Sequence, residues 1–242
     1  MLGLITLGST VGEQPRICEE AARNFCRILE ELKVSCIGCA TYEYELKVLR
    51  SLELDGLIAV VATGGTRKLI AKLPKYFNGP IMLVATNKYN SLPSCLEALA
   101  SAKNKFELLL AEDSRLDLAK IREFSIVCNA LSKLKKSVML VVGKPKKKLT
   151  LRRKLTIGKL GPSIVKVSEK KFMKLVAKVD HDYAVGLAKN FVKDFGGRTV
   201  GIEQLARSMK FYVALKTLAN EYYADAIAIN CFDLLKYGST PC

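Results

Sequence analysis

The sequence is poor in several features that would direct a reading elsewhere. It has no tryptophan and one histidine, His181. No stretch supplies the roughly 18 uninterrupted apolar residues that cross a bilayer. The apolar opening Leu2–Leu7 lacks the basic segment that precedes the hydrophobic part of a signal peptide. A soluble, cytoplasmic protein with no membrane partner is therefore expected. Neither a Walker phosphate loop nor a complete Gly-x-Gly-x-x-Gly occurs. Cys36-Ile37-Gly38-Cys39 has redox or zinc spacing, but no second C-x-x-C completes a zinc site; the two cysteines read as ordinary small residues at a strand end. Of the eight cysteines, Cys18, Cys26, Cys95 and Cys128 fall on stretches with helical spacing and read as small core hydrophobes. A secreted disulfide framework is not expected.

What is present is enough apolar material for real cores. The chain has 242 residues, 50% of them hydrophobic, which suits one large or two ordinary domains. A formal net charge of +16 raises the question of a nucleic-acid or anionic partner. Much of that excess is local: Lys144, Lys146, Lys147, Lys148, Arg152, Arg153 and Lys154 share one short segment. No aromatic residues are interleaved there to stack bases, so the segment reads as an exposed basic loop and nucleic acid is a disfavoured partner. Abundant lysine without tryptophan also suits heat-adapted proteins.

Short apolar runs alternate with amphipathic stretches, the pattern of βαβ units around parallel sheets. Leu2–Leu7 reads as a buried strand, followed by a helix with Ile17, Ala21, Phe25, Ile28, Leu29 and Leu32 on one face. Val34–Ile37 reads as a second strand and Glu43–Leu52 as a second helix. Leu57–Ala62 is the clearest central strand, with a helix from Arg67 to Leu73 behind it. Ile81–Ala85 is the next strand, and a helix carrying Cys95, Leu96, Leu99 and Phe106 follows. Four strands with four crossovers make one doubly wound domain. A helix from about Leu116 to Lys135 leads to a restart at Ser137–Gly143. Ser163–Val167 then reads as a strand and Glu169–Val179 as a helix. An apolar stripe Ala184, Leu187, Ala188, Phe191, Val192 and Phe195 marks a further helix, ended by Gly196-Gly197. A long helix from Ile202 to Tyr223 shows Leu205, Met209, Tyr212, Leu215 and Ala219 on one side, and Ala224–Cys231 closes as a strand. The expected fold is α/β: two consecutive doubly wound, parallel-sheet, Rossmann-like domains over residues 1–136 and 137–242.

Candidate ligand residues sit where open α/β sheets bind, at the carboxyl ends of the strands. These are Ser9 and Thr10 after the first strand, Gly64, Gly65 and Thr66 after the third, and Asn87 after the fourth. Glycine lets backbone N–H groups approach a sugar hydroxyl or a phosphate, and a following helix N-terminus favours an anion. The same residues also serve simply to turn the chain and cap helices. His181, flanked by Asp180 and Asp182, invites a metal reading; consecutive residues rarely converge on one ion, so capping by Asp180 or Asp182 is preferred.

Three groups of residues carry a resemblance. Asp55-Gly56-Leu57-Ile58 leads through to Gly64-Gly65-Thr66. Pro80–Ala85 pairs with Leu92–Leu99, and downstream comes Val141-Val142-Gly143-Lys144-Pro145. Last are Asp225–Phe232 and Tyr237-Gly238-Ser239-Thr240-Pro241-Cys242. In order and spacing the chain resembles the first two domains of the L-fucose and L-arabinose isomerase-like family. That resemblance implies aldose–ketose chemistry in which a divalent ion such as manganese, held by two acidic residues and a histidine, polarises the sugar oxygens while a carboxylate moves the proton. It implies that the metal-binding carboxylate segment follows Pro241-Cys242, so the chain would stop short of it. No cofactor or metal is then expected in this chain, and no catalytic residue is assigned. Asp233 is the acid best placed near a family-like cleft, although a structural role is preferred for it. The partners implied are a separately encoded C-terminal domain, further copies of the chain in a homo-oligomer, and a small sugar. The expectation is a sugar isomerase-related protein inactive by itself; a non-catalytic sugar-binding or regulatory module is the alternative.

Overall fold

A run of six residues with Thr6 as its one polar member forms β1 (Leu2–Leu7), buried along its whole length. A strand of that kind must be covered on both faces, and it lies second from the edge of a five-stranded parallel sheet. In this computed structural model, residues 1–101, 106–112, 116–143, 161–195 and 200–237 are described. The chain divides into two compact units, Met1–Ser132 and Lys133–Cys242.

In the first unit the elements run β1, α1 (Gln14–Ile28), β2 (Ser35–Ala40), β3 (Gly56–Val61), α2 (Arg67–Tyr76), β4 (Ile81–Thr86), α3 (Ser91–Ser101), β5 (Phe106–Ala111) and α4 (Leu118–Lys136), whose last four residues belong to the second unit. The strand order is β2-β1-β3-β4-β5, every pairing parallel. Period-2 alternation sorts the strand side chains onto two cores. Ile5, Leu7, Leu57, Ala59, Val61, Ile81, Leu83 and Ala85 face Leu69, Ile70 and Leu73 of α2 and Cys95 and Ala98 of α3. Leu2, Leu4, Ile58, Val60, Met82 and Val84 face Phe25 of α1 and Ile121, Phe124 and Cys128 of α4. The sheet is thus doubly wound, as the sequence pattern requires.

The second unit is a smaller parallel α/β arrangement. Its elements are β6 (Val138–Val142), β7 (Ser163–Val167), α5 (Glu169–Lys178), α6 (His181–Phe195), α7 (Ile202–Glu221) and β8 (Ala226–Ile229). Three parallel strands lie in the order β7-β6-β8. Leu140, Val142 and Val167 of the sheet pack with Phe172 and Val176 of α5 and Phe211, Ala214 and Leu218 of α7. The rings of Phe172 and Phe211 meet with centroids 5.7 Å apart. Ser168 caps α5 by accepting the Lys171 N–H. Asp180 accepts the Tyr183 N–H at 2.7 Å at the head of α6, the capping role preferred from the sequence. Asp225 fastens the start of β8, its carboxylate accepting the Val138 N–H at 2.8 Å.

The structure departs from the sequence reading at several places. The first sheet has a fifth strand, because Phe106 leaves the preceding helix and opens β5. The run Phe106–Ala111 buries its residues only partly, as an edge strand does, and extending the helical period through it overran the true end at Ser101. The segment Glu43–Arg50 is a 3-10 helix, with only Leu46 and Leu49 buried. On α7 the buried positions are Ala206, Phe211, Ala214 and Leu218, and Tyr212 is 53% exposed. Two neighbours explain this: Leu205 and Met209 pack with Ala184 and Ala188 of α6, whereas the later turns face the sheet, so no single stripe runs the length of the helix. On α6 only Ala184 and Ala188 are buried, and Phe191 and Phe195 stand 44% and 75% exposed. Finally, Cys18 is bonded to Cys39 and Cys26 to Cys36; Cys18 and Cys26 are not simple core hydrophobes, nor are Cys36 and Cys39 inert strand-end residues. Gly196-Gly197, the Lys144–Lys154 cluster and the stretch 238–242 lie outside the described residues.

Candidate functional site

In the order β2-β1-β3, the connection after β1 runs to one neighbour and the chain then returns to the other. The crevice above the carboxyl ends of these strands is the topological switch point. A groove of about 460 Å³ lies there, lined by the β1 loop (Gly8, Ser9, Thr10), the segment after β2 (Thr41, Tyr42, Glu43) and the head of α2 (Gly65, Thr66, Lys68, Leu69, Lys72).

Each wall is held by hydrogen bonds from the backbone. The Ser9 N–H donates to the Thr63 hydroxyl at 2.8 Å, and Ser9 Oγ accepts the Val11 N–H at 3.3 Å. The Gly8 N–H donates to the Ala40 carbonyl at 3.0 Å, which ties the β1 loop to the end of β2. Thr66 is buried, and its hydroxyl donates to the Thr63 carbonyl at 3.1 Å. Gly65 is exposed with φ of 75°, a left-handed turn that glycine accommodates without cost. Gly64 is needed for a different reason. A β-carbon there would come 2.9 Å from Asn90 Cβ and 3.2 Å from the Tyr89 and Asn90 carbonyl oxygens. Its N–H donates to the Tyr89 carbonyl at 2.6 Å.

Glu43 is the carboxylate of the groove lining. It accepts hydrogen bonds from Lys75 Nζ at 3.0 Å and the Tyr76 hydroxyl at 2.8 Å, and Lys72 Nζ lies 3.4 Å away. The Lys75 hydrogen bond above all, then that of Tyr76, helped by the nearby Lys72 and Lys75 charges, holds its carboxyl down to about 2. The Lys75 ammonium is shifted up by the same hydrogen bond. These groups face solvent, so the pairing fixes position more than it adds stability. Beside them Tyr42 and Tyr44 stack, centroids 5.4 Å apart, with 51% and 60% of their surfaces exposed. Glu45 supports that turn by accepting the Thr41 and Tyr42 N–H groups at 2.7 and 2.9 Å.

Of the residues singled out in the sequence, Ser9, Thr10, Gly65 and Thr66 come together in this groove, and Gly64 braces it from the β4 side. Asn87 does not join them. It lines a separate cleft of about 260 Å³ on the α1 side, with Glu20, Asn24, Phe25 and Tyr89. Asp233 falls on the 3-10 helix Cys231–Tyr237 of the second unit, and its side chain lies outside the described part of the structure. Thr41, Tyr42, Glu43, Lys68 and Lys72 were missed. The first three follow the carboxyl end of β2, so the rule that selected the other loops would have found them had β2 been read to its full length.

The groove offers hydroxyls, one carboxylate, two ammonium groups and an exposed aromatic face. Such a set can hydrogen-bond a polyol and stack on its C–H face. It does not match the manganese site that the resemblance implies. No group of three or more His, Cys, Asp or Glu that could hold a metal occurs among the described residues, and Glu43 already answers two lysines. No step of chemistry is therefore derived through a metal. No family model and no curated protein matches this chain. Among the described residues no helix is long and apolar enough to cross a membrane.

Proposed function

We propose that the chain is a sugar-binding α/β protein related to the aldose–ketose isomerases, which holds a small sugar in the groove over β2, β1 and β3 and does not isomerise it alone. The observation that carries the reading is the convergence of Ser9, Thr10, Thr41, Tyr42 and Glu43 with the head of α2 at the switch point of a parallel sheet. In this role Tyr42 stacks on the sugar ring, the hydroxyls of Ser9, Thr10 and Thr41 exchange hydrogen bonds with it, and Glu43 accepts from a sugar hydroxyl while Lys72 and Lys75 keep it ionised. Proton transfer between sugar carbons needs a base with a pKa near the working pH, and a carboxyl held near 2 is poorly suited to that. Complete isomerase chemistry is accordingly assigned to groups outside the described residues, a separately encoded domain or a further copy of the chain.

Isothermal titration of the full chain with L-fucose and with L-arabinose, each with and without Mn²⁺, tests the proposal. Saturable binding in the millimolar range, about −4 kcal/mol, is expected for one of the sugars with or without the ion. Tyr42→Ala is expected to weaken it about five- to tenfold, through loss of roughly 1 kcal/mol of stacking. Absence of saturable heat with either sugar, or isomer turnover by the chain alone, would overturn the reading.

A further inference from the structure

Four cysteines are divided between two adjacent elements, and their placement depends on one irregularity. In a regular strand, Cys36 and Cys39 would project to opposite faces, because side chains alternate with period 2. Strand β2 is not regular. Its register with β1 pairs Leu4 with Cys36 but Ile5 with Gly38, so Ile37 is an extra, bulged residue. Gly38 takes φ of 110°, a conformation open to glycine. One extra residue restores the parity, and both cysteines turn toward α1. There Cys18 and Cys26, separated by just over two helical turns, meet them in reverse order: Cys18 with Cys39 and Cys26 with Cys36. The Cα separations, 5.8 and 6.0 Å, lie within the span a disulfide bridges.

What these bonds fasten is the weakest wall of the groove. Strand β2 is an edge strand and only its last residue, Ala40, is buried, whereas β1 and β3 are buried throughout. Thr41, Tyr42 and Glu43 of the groove lining follow it directly. The inner bond also touches the opposite wall, since a β-carbon at Gly8 would come 2.5 Å from Cys18 Cβ. The two bonds differ in access: Cys36 is exposed, while Cys18 is fully buried.

We propose that this double fastening is a redox switch on the groove: oxidation locks β2 and the Thr41–Glu43 segment to α1, and reduction by a dithiol of the thioredoxin class releases them. In the releasing step a reductant thiolate attacks Sγ of Cys36, forming a mixed disulfide and expelling the Cys26 thiolate, which takes up a proton. The second thiol of the reductant then closes its own disulfide and frees Cys36. Two electrons pass to each protein disulfide, and the reductant is oxidised by the same two. The outer bond opens first and the inner one follows once β2 has loosened. An edge strand with few buried side chains is the part of a sheet that opens at least cost, so loosening stays local. Its consequence for ligand affinity rests on the sugar-binding reading; the switch itself does not.

The test compares the full chain equilibrated with oxidised glutathione and with dithiothreitol. Peptide mapping without reductant is expected to recover Cys18 linked to Cys39 and Cys26 linked to Cys36. Brief dithiothreitol treatment should remove the second link before the first. Amide hydrogen exchange should rise at least tenfold over residues 35–43 on full reduction and remain unchanged in β3 and β4. The Cys26→Ser/Cys36→Ser double variant, which keeps the inner bond, should show part of that rise without reductant. Free thiols at these positions under oxidised glutathione, or equal exchange in the two states, would refute the switch. Exchange is read without sugar, so failure of the sugar reading leaves this outcome distinguishable.

Discussion

Replacing Gly64 by alanine should damage the groove more than the addition of one methyl suggests. The new β-carbon would be placed 2.9 Å from Asn90 Cβ and 3.2 Å from two carbonyl oxygens. Two of these obstacles are backbone oxygens and the third is a β-carbon fixed to the backbone, not a flexible side-chain end. That backbone has little freedom to retreat. Tyr89 and Asn90 already sit at φ of 52° and 56°, the Ser91 hydroxyl donates to the Val61 carbonyl, and it accepts the Thr86 N–H at 3.0 Å. Overpacking of a tight site costs about 1–3 kcal/mol, and moving the loop away sacrifices the Gly64 to Tyr89 hydrogen bond, worth about 1 kcal/mol. Alanine restricts the unfolded chain and returns about 0.4–1 kcal/mol. The expected net loss is about 1–3.5 kcal/mol, or roughly 4–14 °C in the melting temperature of a unit of this size. Gly186 is the contrast: it lies within α6 and a β-carbon there meets nothing within 4 Å. Gly186→Ala should therefore stabilise by about 0.5–1 kcal/mol. Urea denaturation followed by far-ultraviolet circular dichroism measures both. A Gly64→Ala variant within 0.5 kcal/mol of the parent would show that the loop yields freely, and the argument for a braced groove would fail.

Other outcomes follow from the same structure. Phe172→Ala removes a fully buried ring that packs against Phe211 and should cost the second unit about 3–5 kcal/mol, read by scanning calorimetry. Glu43 contributes stability that is present above its unfolded-state value of 4.5 and is lost as pH falls from there toward about 2. The stability gap between the parent and Glu43→Gln, measured by denaturation across pH, should be flat above about pH 5 and close below it. Burial pushes the Cys95 thiol up to about 12 and the Cys128 thiol up to about 11. Iodoacetamide at pH 8 with peptide mass analysis should find both unmodified in the native chain and modified in urea.

The architecture was readable because its strands are nearly continuous apolar runs separated by amphipathic stretches, and that pattern has few physical solutions. Leu57–Ala62 and Ile81–Ala85 could hardly be anything but central strands. Edge strands were harder. β5 and β2 bury fewer side chains, so their apolar signal is weak, and periodicity carried over from the neighbouring helices absorbed Phe106. The loops after β1 and β3 were found by a positional rule, whereas Thr41–Glu43 escaped because β2 was ended at Ile37, three residues early. The cysteine pairing was illegible for a sharper reason. C-x-x-C on a regular strand faces two ways, and the bulge that brings both sulfurs to α1 depends on register with β1. Asn87 shows the opposite limit. It obeys the rule for strand ends, yet in an alternating sheet the loop after β4 delivers it to the cleft on the α1 side.

Nitrogen-15 chemical-shift mapping during titration with L-fucose or L-arabinose tests the central claim most directly. The account predicts saturable shifts gathered at Gly8–Thr10, Thr41–Glu43 and Gly64–Leu69. Shifts confined to the Asn87–Tyr89 cleft, or none at saturating sugar, would contradict it.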